Sequence, residues 1–211
     1  MPDYLDGTVR EYVARASAAE PTPGGGSVSA LAGALAASMG EMVVGYTLGR
    51  SKYADVQAEI ESLLEGLEDA RKALLDLVEK DVEAYGRVDR AMAMPRDSDP
   101  QRRARREALN AALRNAMEPP LAAMRHCAAV AEAADRLAEV GNTNLVSDAG
   151  VAAVLAEAAC VAAGLNVEAN LKYIGDPDLT PQVRVEKAAL AERCEAARAH
   201  ALRVVAEKLQ N

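Results

Sequence analysis

Apolar residues recur along the chain at alternating three- and four-residue steps, and no run of strict alternation suggests a strand. The pattern predicts helices throughout. A short amphipathic helix covers about Tyr4–Ala16. The Pro/Gly-rich stretch at 21–27 leads into a second helix ending near Gly49. A third helix runs from about Tyr53 to Ala93, with Pro95 helping to end it. Ser98 or Asp99 caps a fourth, with Pro100 in its first turn, and Pro119-Pro120 must kink or interrupt it. Gly141-Asn142-Thr143-Asn144 breaks the chain before a fifth helix reaching about Ile174, and Thr180-Pro181 opens the last.

Several helices carry small residues where the pattern turns inward. The second has Ala30, Gly33, Ala37, Gly40 and Val44; the fifth has Ala149, Ala153, Ala156, Cys160, Ala163 and Val167; the last has Leu190, Cys194, Ala197, Ala201 and Val204. Stripes of this kind let helices pack closely and nearly aligned. The expectation is an all-α, up-and-down helix bundle with small-residue (Ala/Gly) seams, forming a single domain over residues 1–211. The third helix breaks its own pattern. Asp81 occupies a position between Leu77 and Ala84 where an apolar residue is due. A buried carboxylate must be paired, hydrogen-bonded or protonated, so Asp81 is either a satisfied core or subunit-contact residue or part of a polar pocket.

Composition sharpens this picture. Half of the 211 residues are apolar but none is Phe or Trp, so small-faced helices must supply the core with Leu, Val and Met between them. A net charge of −8 argues against a nucleic-acid or anionic-membrane surface and requires any anionic ligand to find a local basic patch. Cys127, Cys160 and Cys194 sit in apolar helical contexts and read as reduced core thiols of a cytoplasmic protein. The N-terminal stretch shows no secretory signal. Residues 27–48 are long enough to raise the membrane question, but their Ala, Gly and Ser content and Glu41 suit a buried soluble helix better.

Three polar islands interrupt the apolar pattern. The first, PTPGGGS at 21–27, contains Gly24, Gly25 and Gly26. It is either a flexible connection or a place where backbone approaches a ligand and a helix start offers N–H groups. It has no Walker lysine and no preceding strand. The second, Gly49-Arg50-Ser51-Lys52-Tyr53, is either a solvated loop or a basic patch suited to carboxylates, with Tyr46 and Tyr53 as aromatic faces. The run Arg102-Arg103-Ala104-Arg105-Arg106 is more basic, but it reads as a solvated helical face or an interface. The third island spans Asn142 to Gly150. Ser147 or Asp148 would suffice to cap the fifth helix, yet Asn142, Asn144, Ser147 and Asp148 together exceed that need. Asn166 and Asn170 share one face of the helix that follows. Two histidines, His126 and His200, offer no metal-ligand spacing, and both read as structural or surface residues.

In order along the chain, these segments resemble one family. PTPGGGSVSALAGALAASMGEMV is similar to the opening motif of the cyclodeaminase domain of formiminotransferase-cyclodeaminases and of stand-alone methenyltetrahydrofolate cyclohydrolases. TLGRSKY resembles that family's T-[IV]-G-K-K-K-Y, GNTNLVSDAGVAAVLAEAA its G-N-P-N-x-x-S-D-A-G-V-A-x-L, and LNVEANLKYIGD its L-N-V-x-x-N segment. Asp81 and Tyr85 match a D-x-x-A-[FY] pattern. Departures are Gly45 for a usual Asn, Arg50 and Ser51 for two lysines, and Thr143 for a proline. Nothing in the chain resembles a formiminotransferase domain, so it is not expected to load the formimino group itself.

The resemblance implies a helical enzyme of folate one-carbon metabolism that forms a homodimer or a higher assembly of dimers, with a tetrahydrofolate derivative as substrate and no tightly bound cofactor or metal. It implies cyclodeamination of 5-formiminotetrahydrofolate to 5,10-methenyltetrahydrofolate with release of ammonia. The alternatives are hydrolysis of the methenyl adduct to 10-formyltetrahydrofolate, or a non-catalytic helical folate-binding or assembly protein. Asp148 is the first candidate for proton transfer and Asp81 the second. Asn142, Asn144, Ser147 and Asn166 would orient the pterin or the reacting bridge. Arg50 and Lys52, beside Tyr53, would hold folate carboxylates, and the loop of Gly24, Gly25 and Gly26 would close over the ligand.

Overall fold

The computed structural model describes residues 4–174 and 179–210; Gly175 and Asp176, the end of one motif noted above, lie outside them. Six α-helices follow one another: α1 (Val9–Ala16), α2 (Gly25–Gly45), α3 (Gln57–Met92), α4 (Asp99–Val140), α5 (Val146–Leu171) and α6 (Leu179–Leu209). Short 3-10 turns, Ser51–Val56 and Thr143–Leu145, precede α3 and α5. Among the described residues there is no strand, and the helix-bundle expectation holds.

Helices α2, α3, α4 and α5 each pack on the next, and α5 returns to α2 to close the ring; α6 packs on α4 and α5. Side-chain contacts set the directions. Gly33 of α2 lies against Leu74 of α3 and Gly40 against Leu67, so these two helices are antiparallel. Glu59–Arg136 ties the start of α3 to the end of α4, and Cys160 Sγ reaches Met124 O between α4 and α5. The ion pairs Arg125–Glu186 and Glu132–Arg193 show that α6 runs parallel to α4. The result is an up-down-up-down bundle with a helix laid along one side.

The small positions named on α2 and α5 are all buried, and the three cysteines are free and buried. The packing is close: a Cβ at Gly33 would stand 2.7 Å from Cys127 Sγ. His200 pairs with Asp135 at 2.7 Å.

Several boundaries differ from those expected. Helix α1 begins only at Val9, because the Thr8–Glu11 capping box sets its start. Tyr4 is buried for another reason: its N–H donates to Glu79 and its hydroxyl donates to Thr22 O. Helix α2 ends at Gly45, and the chain turns at Thr47 before Gly49 adopts φ +72. Ser98 is the cap of α4, in a capping box with Gln101. Leu145 occupies the cap position of α5, so Ser147 and Asp148 are first-turn residues and cap nothing.

Pro119 and Pro120 do not interrupt α4, which continues through them. Pro120 lacks the N–H that would bond Ala116 O, but Asn170 Nδ2 from α5 donates to that carbonyl at 3.0 Å. The asparagine replaces the lost helical bond.

Candidate functional site

The glycine turn, Asp81 and Asn166 converge where the start of α2 meets the second half of α3 and the end of α5. Their meeting follows from antiparallel packing. Gly25 stands against Asn166, with its Cβ direction 3.1 Å from both side-chain amide atoms. Gly26 stands against Asp81; an added Cβ would overlap the carboxylate, so only glycine admits this approach. The N–H of Ser27, in the first turn of α2, donates to Asp81 Oδ2 at 2.9 Å. Asp81 thus has a real partner, and the helix start faces a carboxylate.

These groups line a cleft of about 270 Å³. Pro21, Thr22 and the three glycines line it from the start of α2 and the turn before it, Asp81, Tyr85 and Val88 from α3, and Asn166 and Asn170 from α5. Tyr85, Met92 and Tyr173 stand exposed at its mouth, offering flat and flexible apolar surface. Burial pushes the Asp81 carboxyl up to about 6, against the lowering effect of the Ser27 N–H. A carboxyl poised there exchanges protons near neutral pH.

The glycine turn is held from behind by α1. Tyr12, buried, shares a 3.1 Å hydrogen bond with the buried Ser27 hydroxyl, and Tyr4 grips Thr22. Burial raises the Tyr12 phenol, so it remains a neutral hydrogen-bonding group. Tyr4, Tyr12 and Tyr173 were not singled out from the sequence, where isolated tyrosines carry no spacing signal.

The other candidates gather elsewhere. Arg50, Lys52, Tyr53, Asn142 and Asn144 line a second depression of about 500 Å³, where α2 ends and α5 begins. Here Asn142, 8% exposed, is fully engaged as a structural joint. Its N–H donates to the buried Thr47 hydroxyl, its Nδ2 to Tyr46 O, and its Oδ1 accepts from the Asn144 N–H. The Tyr53 hydroxyl accepts the Thr143 N–H at 3.1 Å, and Lys52 lies over the Tyr53 ring. Burial works to raise the Tyr53 phenol, but the Thr143 bond and Lys52 outweigh it and hold it below its ordinary value. Arg50 Nε donates to Tyr46 O. Lys208 of α6, not foreseen, closes this end by donating to Ala138 O and Glu139 O. Ser147 and Asp148 follow in the first turn of α5, outside the lining of the depression.

One chain therefore divides the expected residues into two groups. Gly25 and Gly45 are the ends of α2, about 30 Å apart at the helical rise, and Asp148 and Asn166 are about 27 Å apart on α5. Asp81 and Asp148 do not meet within a protomer. Among the described residues, no three His, Cys, Asp or Glu side chains gather as metal ligands.

The chain matches the family described as formiminotransferase-cyclodeaminase over residues 8–189. It is 38% identical over 169 residues to the methenyltetrahydrofolate cyclohydrolase of Methylorubrum extorquens, covering 80% of this chain and 81% of that protein. It is 33% identical over 183 residues to the formimidoyltransferase-cyclodeaminase of Rattus norvegicus, of which it spans only 33%. The crystal structure of a formiminotetrahydrofolate cyclodeaminase from Thermotoga maritima superimposes with a TM-score of 0.88 at 31% identity, covering 97% of this chain and 98% of that one.

Proposed function

The chain belongs to the formiminotransferase-cyclodeaminase family, and on that footing we propose that it is an enzyme of folate one-carbon metabolism. It acts on the carbon carried between the N5 and N10 nitrogens of tetrahydrofolate. The observation that carries the reading is Asp81, held under a glycine turn by the Ser27 N–H, opposite Asn166, in a cleft rimmed by tyrosines. In cyclodeamination N10 attacks the formimino carbon, a tetrahedral carbon forms, and ammonia leaves. The proton lost by N10 must reach the departing amine. A carboxyl near pKa 6 can take the one and supply the other. The step requires no metal.

A second reading, hydrolysis of the methenyl adduct to 10-formyltetrahydrofolate, is favoured by the 38% identity to a cyclohydrolase matched over most of its length. The same carboxyl would serve it, with water as nucleophile. Absorbance of the methenyl chromophore separates the two. Growth of signal from 5-formiminotetrahydrofolate identifies the cyclodeaminase, and accelerated loss from 5,10-methenyltetrahydrofolate the cyclohydrolase. No change with either adduct would refute enzymatic action on both.

The protein works as a cytoplasmic homodimer in this proposal, and the dimer answers the division of the site. Helices α2 and α5 expose apolar stripes: Val28, Leu35 and Met42 on one, Val151, Val154, Val161 and Leu165 on the other, with Leu35 56% and Leu165 69% exposed. By length and composition both helices would also pass as membrane spans, but each is half buried in the bundle. A two-fold axis through their midpoints pairs each helix antiparallel with its copy and covers both stripes. The Asp81–Asn166 end of one protomer then faces the Arg50–Asp148 end of the other. Two composite sites result.

A further inference from the structure

Helix α1 makes only slight contact with the bundle, yet it holds the glycine turn. Between it and α2 lies an apolar groove of about 590 Å³, lined by Val9, Tyr12 and Val13 on one side and by Val28, Leu31 and Leu35 on the other. Val9 is 82% and Val13 60% exposed. Apolar side chains of this size, continuous with the stripes on α2 and α5, mark a surface that is covered by a partner.

The stripes indicate the occupant. On α2, Val28 and Met42 lie seven residues either side of Leu35, and Leu31 and Met39 lie four either side. On α5, Val151 and Leu165 lie seven residues either side of Ala158, and Val154 and Val161 lie four and three from it. Each pattern is close to its own mirror image, as a helix that packs antiparallel on its own copy requires. One two-fold axis serves both helices only if Leu35 and Ala158 stand at one height. They do: α2 and α5 run antiparallel and Gly25 stands against Asn166, so ten residues on Leu35 is level with Ala156, about 3 Å from Ala158. The polar groups beside the α2 stripe are already satisfied, Ser38 by Ala34 O and Glu41 by Arg71. Two helix faces about 30 Å long and together about 20 Å wide offer about 600 Å² per protomer. The groove adds to this, toward the about 800 Å² per partner of a stable interface.

We propose that a second copy of this chain fills the groove: α2 of each subunit packs antiparallel on α2 of the other, the axis passes Leu35, and Met39 and Met42 of the partner subunit enter the groove beside Leu31 and Val28. Flexible methionine side chains suit an irregular apolar groove. Tyr12 lines the groove and bonds Ser27, whose N–H holds Asp81, so the partner clamps the helix that holds the turn. This rests on the homodimer reading above and fixes its register.

Introduced cysteines read the register, since the three native thiols are buried, and the readouts require no turnover. Treated with a short bis-maleimide, Leu35→Cys should form a covalent dimer by itself. Val28→Cys/Met42→Cys should do the same, whereas each of its single variants places its two thiols about 21 Å apart and should not. Leu35→Lys, which sets two charges together on the axis, should yield monomers by light scattering and speed amide hydrogen exchange over residues 24–28 by about tenfold. A monomeric wild type refutes the homodimer reading and this one with it. A dimeric wild type whose Val28→Cys/Met42→Cys variant links no better than the single variants overturns the register alone, and so does a Leu35→Lys protein that stays dimeric. A monomeric Leu35→Lys protein with unchanged exchange over the turn overturns the clamp.

Discussion

Replacing Asp81 by Asn tests the chemistry of the cleft and the physics of its burial together. The amide keeps the shape and can still accept the Ser27 N–H, but it carries no charge and exchanges no proton. In the folded protein burial raises the carboxyl from 3.8 to about 6. Between those values the folded state holds a proton that the unfolded chain has released, so wild-type stability falls as pH rises through this window. Above pH 6 the whole penalty is present. The shift corresponds to about 3 kcal/mol at most, and partial solvent access reduces it to about 1–3 kcal/mol. Asp81→Asn should therefore be more stable than wild type at pH 8 by several degrees, at roughly 2–4 °C per kcal/mol for a chain of this length. The difference should fade below about pH 4. Melting curves across pH 4–8 give the result directly, and turnover should fall by about 10²–10⁴-fold if Asp81 moves the proton. A stability gain independent of pH would mean that charge burial is not what the substitution relieves. A variant that keeps its rate would remove Asp81 from the mechanism.

Three further substitutions probe the remaining parts. Gly26→Ala places a methyl 2.7 Å from Asp81 Oδ2; a loss of about 1–3 kcal/mol and of turnover is expected, read by urea denaturation and the methenyl assay. Asn170→Ala leaves Ala116 O without its donor beside Pro120, costing about 1–3 kcal/mol. Adding Pro120→Ala in that background restores a helical N–H and should recover part of the loss, whereas no recovery would sever the link between the two residues. For the composite site, inactive Asp81→Asn and Asp148→Asn proteins, mixed and allowed to exchange subunits, should regain about a quarter of wild-type activity through mixed dimers. A mixture that stays inactive after verified exchange, or a protein that is monomeric by light scattering at micromolar concentration, contradicts the shared site.

Helical spacing made the bundle legible because every long helix has an inner face of small or aliphatic residues, and those positions on α2 and α5 are the buried ones. The errors arose where local rules met a distant partner. Tyr4 reads as the start of the first helix, but it lies before the capping box and is held by bonds to Glu79 and Thr22, farther along the chain. Pro119-Pro120 reads as an interruption because the donor that compensates for Pro120 is 54 residues from the carbonyl it satisfies. Ser147 and Asp148 read as caps from residue type alone, whereas the 3-10 turn at Thr143–Leu145 moves the helix start so that Leu145 takes the cap position.

The candidate site was legible as a set of residues but not as an arrangement, although the missing step follows from helix length. Motifs flanking a 21-residue helix must stand about 30 Å apart. In an up-and-down bundle the glycine turn opening α2 then falls beside the end of α5 and the second half of α3, where Asn166 and Asp81 are. The basic turn closing α2 falls beside the start of α5, where Asn142 and Asn144 are. Asp81 itself was marked by the apolar pattern it violates, and Gly26 is the complement of that violation: a backbone without a side chain lets Ser27 N–H reach the carboxylate. Treating the motifs as one site overlooks this separation, and two protomers related by a two-fold axis are the simplest arrangement in which all of them can act on one ligand.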